Sequence, residues 1–409
     1  MSDLKQIAAE VRTWLEANFD PSLSLREWRE ILVDSGWGAP DFPTEYYGRG
    51  LDASAVATVN AEFARVGAVG TASTGPRLLA AVTLLAHGDH EQKRKYLRGV
   101  LTGQDAWCQL FSEPGSGSDL AGSTTRADKD GDRWIVNGQK VWTTSAHHAD
   151  FGLLVARTDW EVPKHQGLSY FVLEMNQPGV EVRQLKQMNG HASFNEVFFT
   201  DAVVQPGNLV GKEGEGWAVA LTTLAHERSS FARMRGGQQV EGRKGRVYDE
   251  YAEELAISNE PYVWYPQRAG RVDLIVERAQ QTGAIHDAVI RQDIAGALAI
   301  SKCANWFSMQ SQAAKRGGAT GSITKLAASR LAQACARVHT SISGPEAMYE
   351  GESSAHQGII AEVLLSTPAV SIAGGTDEIQ RNIISERILE MPKETRFDGG
   401  PFKDVPRNA

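Results

Sequence analysis

Residues Leu110 to Leu120 read L-F-S-E-P-G-S-G-S-D-L. The stretch is too polar and too rich in glycine to pack a core. It carries a hydroxyl at Ser112, a carboxylate at Glu113, a rigid turn at Pro114-Gly115, and exposed amides and small hydroxyls from Gly115 through Gly117 to Ser118. Glycine lets the main chain approach a bound group closely, so backbone N–H groups and short hydroxyls can wrap a polar, planar ligand. It is not a dinucleotide G-x-G-x-x-G loop, since Gly115 and Gly117 are followed by Leu120. Two other stretches stand with it: Trp142-Thr143-Thr144 and, far downstream, Gly374-Gly375-Thr376-Asp377-Glu378-Ile379-Gln380-Arg381.

Upstream of the loop the apolar spacing is helical. Leu4, Ile7, Val11 and Leu15 recur every three or four residues, Glu27–Leu32 opens a second helix, and Ala55–Val66 and Arg77–His87 are further candidates. His87-Gly88-Asp89-His90 breaks the pattern. From Gln109 to about Trp217 the period falls to two. Arg133–Val136 and Gln139–Trp142 flank Asn137-Gly138, which predicts a hairpin with a type I′ turn. Leu153–Ala156, Tyr170–Leu173 and Val197–Phe199 are strand candidates, and together these suggest a small antiparallel sandwich or barrel. Helices return after Trp217: one through Ile290, Ile294 and Leu298, stopping near Gly317-Gly318; one from Ile323 to Val338; and a last through Ile379, Ile383, Ile384 and Ile388, with Thr376 as its N-cap. Residues 235–285 resist reading. The expected division is a helical domain over 1–108, a β domain over 109–222, a helical bundle over 223–395 and a tail over 396–409.

With 409 residues the chain is long enough for two or three domains, and 42% hydrophobic and 22% charged residues are ordinary for a globular protein. A net charge of -8 argues against a nucleic-acid partner. Cys108, Cys303 and Cys335 show no metal spacing, and an odd count suggests free thiols in a reducing compartment. The opening M-S-D-L-K-Q-I-A-A-E-V has no apolar targeting core, and no apolar run approaches ~18 residues. The expectation is a cytoplasmic protein without a membrane span. The pairs His147-His148 and His87/His90 lack zinc-like context and read as solvated loops. Arg233, Arg235, Arg243, Lys244 and Arg246 read as a solvated basic face.

The three ligand-facing stretches, in this order, resemble the flavin-binding signatures of the acyl-CoA dehydrogenase family. Phe42-Pro43-Thr44-Glu45-Tyr46 with Gly48 and Gly50 is similar to an early element of that family, and Asn208–Gly211 with Gly214, Gly216 and Trp217 to its exit from the β domain. The resemblance covers essentially the whole chain. It implies the family's α+β fold: an N-terminal helical domain, a middle antiparallel β sandwich or barrel, and a C-terminal four-helix bundle.

It also implies a reaction, the removal of two hydrogens from neighbouring carbons of an acyl-CoA. The α-proton needs a carboxylate whose basicity burial raises, the thioester oxygen needs hydrogen-bond donors, and the β-hydride needs a cofactor, here FAD. By resemblance, Gln109, Leu110 and Ser112 touch the flavin edge, and Gly117 and Ser118 the phosphate or substrate. Trp142 covers one flavin face, Thr143 lies beside it, and Thr144 bonds near N5. Thr376 and Glu378 lie where the last helix meets FAD, since a helix N-terminus presents unpaired N–H groups. The family's commonest base is the Glu of an E-G-T triplet, but this chain reads Gly374-Gly375-Thr376. A minority of members carry the base on the first C-terminal helix before an Arg, and Ala225-His226-Glu227-Arg228 stands there. Glu227 is therefore the expected base, with Arg228 beside the substrate and the Gly374 amide as an oxygen donor. Asp377 and Glu378 are rival carboxylates. The implied partners are an electron-transfer flavoprotein and other subunits, in a homodimer, a homotetramer or a heteromer. Two elements that hold the FAD pyrophosphate and adenine in other members are altered, at Glu277–Gly283 and at Ser341–Glu346. Two alternatives stand beside the leading one: a flavin-dependent oxidase or monooxygenase offshoot, and a partner subunit of a heteromeric dehydrogenase.

Overall fold

The computed structural model describes residues 2–72, 75–230, 240, 242–313, 320–351, 354–395 and 398–406. The chain forms two compact units, Met1–Leu185 with Ser193–Pro261 and Phe397–Ala409, and Lys186–Ala192 with Tyr262–Arg396.

The first unit opens with α1 (Ser2–Asn18), which buries Val11 and Leu15. In α2 (Leu25–Ser35) Ser24 caps through a reciprocal pair, its hydroxyl accepting from the Glu27 amide at 3.2 Å and its own amide donating to the Glu27 carboxylate at 2.9 Å. Trp28 from α2 is fully buried, and its Nε1–H donates to Val69 O at 2.6 Å, so neither the ring nor its polar tip is left unmatched. α3 (Ala53–Val66) and α4 (Gly75–His87) follow the expected spacing. The break at His87–His90 is a turn into α5 (His90–Thr102), for which Asp89 and Gln92 form a second capping box.

The β domain follows the helices, as expected, and differs in one turn. Its strands are β1 (Trp107–Leu110), β2 (Arg126–Asp130), β3 (Arg133–Thr144), β4 (Phe151–Arg157), β5 (Leu168–Glu174), β6 (Val180–Leu185) and β7 (Phe194–Val204). They form one mixed sheet in the order β1-β4-β2-β3-β7-β6, with β5 also paired to β4. Most neighbours run antiparallel, and β1 runs parallel to β4. The expected Asn137-Gly138 turn is absent, because β3 runs straight through both residues. Asn137 pairs with Arg126, and the register against β7 slips between Val136 and Gly138, which makes the site a β-bulge. The Asn137 amide exchanges two hydrogen bonds with Asp201, and Gly138 (φ 149°) lies where a Cβ would sit 2.7 Å from Thr125. The turn that does form is Asp130–Arg133, around Gly131 at φ 66°.

Two helices beyond the sheet also belong to this unit. On α6 (Gly216–Ser230) the buried Thr223 hydroxyl meets Thr83 of α4 at 2.8 Å and Tyr170 of β5 at 3.0 Å. His87, expected in a solvated loop, meets Thr222 at 2.7 Å. On α7 (Arg246–Asn259) Glu254 pairs with Arg29 at 2.6 Å and Arg77 at 3.0 Å. The compact units part at Pro261 and Tyr262. The apolar face of α6 is buried by α4 and β5, not by a bundle.

The second unit holds α8 (Tyr265–Arg268), α9 (Ile275–Thr282), α10 (Ala288–Ala313), α11 (Thr320–Ser343), α12 (Ile359–Ser366), α13 (Pro368–Ile372) and α14 (Asp377–Arg387). Its core joins Ile275, Ala279, Ile294, Ala297, Cys335, Val338 and Ile342. The expected helix stop at Gly317-Gly318 lies outside the described residues. Within His356–Arg387 one 18-residue window reaches a mean hydropathy of 1.5, apolar enough to resemble a membrane span. The stretch is divided into α12, α13 and α14 by Pro368 and by Gly374-Gly375, both glycines left-handed.

Candidate active site

The Leu110–Leu120 loop leaves the end of β1 and is held between two buried cations. At its start Glu113 is buried. Its carboxylate accepts from the Thr124 amide (2.7 Å), the Thr124 hydroxyl (2.9 Å), the Thr125 amide (2.9 Å) and Lys140 Nζ (2.9 Å). Lys140, fully buried on β3, also donates to Phe111 O at 2.9 Å. Burial opposes ionisation of Glu113, but Lys140 and the amide donors outweigh it and hold the carboxyl down at about 2. The Pro114-Gly115 turn closes with Glu113 N–H donating to Ser116 O (2.9 Å) and Ser116 N–H to Glu113 O (3.1 Å). At the far end Arg157, fully buried at the end of β4, donates to Ala121 O (2.6 Å) and Ser123 O (3.0 Å). Between these anchors Gly117 and Ser118 are exposed and Ser112 half-buried, and Cβ atoms at 115 or 117 would meet nothing within 4 Å. Glu113 is thus an internal anchor of the loop rather than a ligand-facing group.

Across the sheet, Trp142 sits at a second register slip of β3, between Lys140 and Thr143. Its φ is 62°, which bulky residues avoid, and 55% of the residue is exposed while its ring edge rests on Phe194. Thr143 is buried with a hydroxyl that has no hydrogen-bond partner, and Thr144 is half-buried. Glu227 lies one helical turn beyond the buried Thr223, on the same face of α6. It is half-buried, and its carboxylate accepts from Gln109 Nε2 of β1 at 3.4 Å. The fold therefore brings the expected base to the strand expected to line the cofactor. The side chain of Arg228, and Arg233 and Arg235, lie outside the described residues.

In the second unit, Gly374 and Gly375 take φ values of 69° and 85°, and a Cβ on Gly375 would sit 2.5 Å from Gln380 Nε2. That amide donates to Gly374 O (3.1 Å) and Gly375 O (3.3 Å), which fixes the turn before α14. Thr376 caps α14 as expected, its hydroxyl accepting from the Ile379 amide at 3.3 Å. Asp377 is buried. Burial opposes its ionisation, but Ser329 (2.8 Å) and Lys325 (3.0 Å) win and lower its pKa, so it is tied up and unsuited as a base. Glu378 turns its side chain outward and pairs with Arg381 at 3.2 Å. Arg278, from the first altered element, donates to Ser343 Oγ at 3.1 Å and forms an ion pair with Glu346 of the second. Among the described residues no group of three His, Cys, Asp or Glu side chains could hold a metal ion.

Comparison with known proteins decides the family. The acyl-CoA dehydrogenase N-terminal, middle and C-terminal domain descriptions match residues 3–104, 108–202 and 270–389. The chain belongs to the acyl-CoA dehydrogenase family. It is 33% identical to the acyl-CoA dehydrogenase IpdE1 of Mycobacterium tuberculosis, over 97% of this chain and 100% of that one. It is 34% identical to FadE34 of the same organism, over 90% of this chain and 46% of that protein. Among solved structures it is similar to the "Tcur3481-Tcur3483 steroid ACAD" (25% identity, TM-score 0.65, 96% of this chain and 99% of that one). It is also similar to the ChsE4-ChsE5 complex of Mycobacterium tuberculosis (25% identity, TM-score 0.64, 96% and 99%).

As an acyl-CoA dehydrogenase the chain is an oxidoreductase acting on CH–CH groups, and membership implies a flavin. The residues present fit the ring end of one: an outward indole, the unpartnered buried Thr143 hydroxyl and a loop with open backbone lie on one β domain. Sequence reasoning missed the buried cations Lys140 and Arg157. Lys140 carried a signal, since the alternation from Trp134 and Val136 places it on the inward face.

Proposed function

We propose that this chain is an FAD-dependent acyl-CoA dehydrogenase in which Glu227 takes the α-proton of the thioester. The observation that carries this reading is the placement of Glu227 on α6 against Gln109 of β1, with no carboxylate at position 374. The α-C–H bond breaks, its proton passes to the Glu227 carboxylate, and the electron pair becomes the new α,β double bond as the β-hydride leaves. When bound, the flavin supplies the acceptor for that hydride, and an electron-transfer flavoprotein takes the electrons onward. Trp142 would pack against the flavin ring, and Thr143 and Thr144 would hydrogen-bond to it. Ser112, Gly117 and Ser118 would contact it from the loop; in the second unit, Thr376 caps α14, whose N-terminal amides are the family's other flavin contact. By resemblance to the family, the role of donor to the thioester oxygen, where charge develops, would fall to the Gly374 amide of the second unit. The substrate is a bulky, polycyclic acyl-CoA, a reading supported by the likeness to the steroid enzyme Tcur3481-Tcur3483.

The test is flavin bleaching by a panel of acyl-CoAs under anaerobic conditions, with wild type and Glu227→Gln. A positioned base contributes about 10²–10⁴-fold, so Glu227→Gln should lose on that order in the reductive rate while still binding the thioester. Bleaching at the wild-type rate would falsify the assignment. Rapid reoxidation of the reduced flavin by air would instead favour an oxidase.

A second reading is that this chain works as one half of a heteromer. The Arg278–Glu346 pair favours it, because the cation in the position that holds the FAD pyrophosphate in other members is satisfied within the chain. Purification of a yellow, fully flavin-loaded homo-oligomer from this chain alone overturns that reading.

A further inference from the structure

The segment Asp398–Val405 folds back onto the β domain of its own unit. Phe402 is 2% exposed, and its ring lies 3.4 Å from Arg157 Cζ and 5.6 Å, tilted, from Trp160. Its amide donates to Val162 O at 2.9 Å, and the Lys403 amide to Trp160 O at 3.0 Å, so the contact is anchored by backbone as well as side chain. The same guanidinium that Phe402 covers holds Ala121 O and Ser123 O, the carbonyls at the far end of the 112–119 loop. A second link runs through Lys164, which pairs with Asp398 at 2.5 Å and with Asp119, the loop's last polar residue, at 2.8 Å. Ser116 Oγ then donates to Asp119 O at 2.5 Å, which carries the tether to the loop's centre.

We infer that Asp398–Val405 is a positioning strap that fixes the 112–119 loop from behind, through Arg157 and Lys164, in the geometry the flavin needs. The inference rests on the reading of that loop as a flavin contact. An aromatic lid keeps water off the guanidinium and strengthens the hydrogen bonds beneath it, because a buried bond competes with less solvent. The Lys164 bridge is partly exposed and is weakened by salt.

The test compares the full chain with a truncation after Thr395 and with two full-length variants, Phe402→Ala and Asp398→Asn, in case the truncated chain fails to fold. Amide hydrogen exchange at residues 113–125 is read in the flavin-free protein, and the dissociation constant of added FAD is read separately. Phe402→Ala should speed exchange in that window by about tenfold or more, since local opening sets exchange rates. Asp398→Asn should give a smaller acceleration that high salt reproduces in the wild type. Both variants should weaken FAD. Unchanged exchange in Phe402→Ala overturns the strap. Faster exchange with unchanged FAD affinity overturns the loop's assignment to flavin, and with it the strap's role in cofactor binding.

Discussion

At Trp142 the backbone takes a left-handed conformation that costs a bulky residue about 1–2 kcal/mol, yet the side chain gains little burial in return, being 55% exposed. Strain without packing is a mark of a residue held for a ligand. Trp142→Gly should therefore leave the flavin-free protein as stable as wild type, or raise its Tm by about 2 °C, while lowering flavin affinity at least tenfold. Thermal unfolding without cofactor and flavin titration check the two halves separately. A large fall in Tm with flavin binding intact would show the indole to be an ordinary packing group. Glu227 is proposed as the base from the sequence because two facts agree, a glycine where the commonest base would stand and a carboxylate before an arginine elsewhere; the structure adds its contact with Gln109. Arg157 and Lys164 were not legible there, because a cation in sequence reads as surface until the fold shows the carbonyls and carboxylates around it.

Among the elements, the Asn137-Gly138 pair shows why local turn signals mislead. Asn-Gly suits a type I′ turn, but the same φ freedom suits a bulge, and the choice falls to the flanking strands. Here Trp134, Val136 and Val141 are all buried by one continuous β3, and breaking it into a hairpin would leave part of that face without the β7 partner it has. The competing Asp130-Gly131 signal forms the turn. The loop after β1 is an element whose order is set by charge. Glu113, ordinarily near 4.5, is held at about 2 by Lys140 and the amides. A carboxyl with a depressed folded pKa contributes stability that is fully present above its unfolded value and is lost as pH falls through the folded one. The Glu113 anchor should hold at pH 5 and weaken progressively between about 4 and 2, with the desolvation of Lys140 offsetting part of its contribution. Hydrogen exchange at residues 113–125, stepped through that range, should show protection falling in the wild type. In Glu113→Gln protection should be lower at neutral pH and flat across the window. A wild-type profile as flat as the variant's would mean that the ion pair does not order the loop.

For the whole molecule, the order of helices, strands and helices was plain from the change of apolar period from about 3.6 to 2 and back. The sheet's mixed pairing was not, because parallel contact between β1 and β4 depends on a crossover that no local pattern records. Nor was the placement of α6, whose buried threonine, Thr223, reads as polar in sequence. The proposed heteromer reading rests on Arg278. Its side chain is 10% exposed, while that of Glu346, its partner, is 58% exposed. A half-exposed pair of this kind is worth at most about 1 kcal/mol, so Glu346→Gln should cost little stability, with Ser343 still accepting from the guanidinium. What the variant changes is the charge left over. A guanidinium without its carboxylate favours a phosphate, since both present matched, bidentate geometry. If Arg278 is silenced in the wild type, Glu346→Gln purified alone should retain more FAD than the wild-type chain, by about tenfold in affinity. Riboflavin, which has the ring and no phosphate, should bind the two proteins equally. Equal gains for FAD and riboflavin would place the effect at the ring end and remove Arg278 from the argument. A wild-type chain that is already saturated with FAD on its own would mean that the Arg278–Glu346 pair does not limit cofactor binding, and that no second kind of subunit is needed.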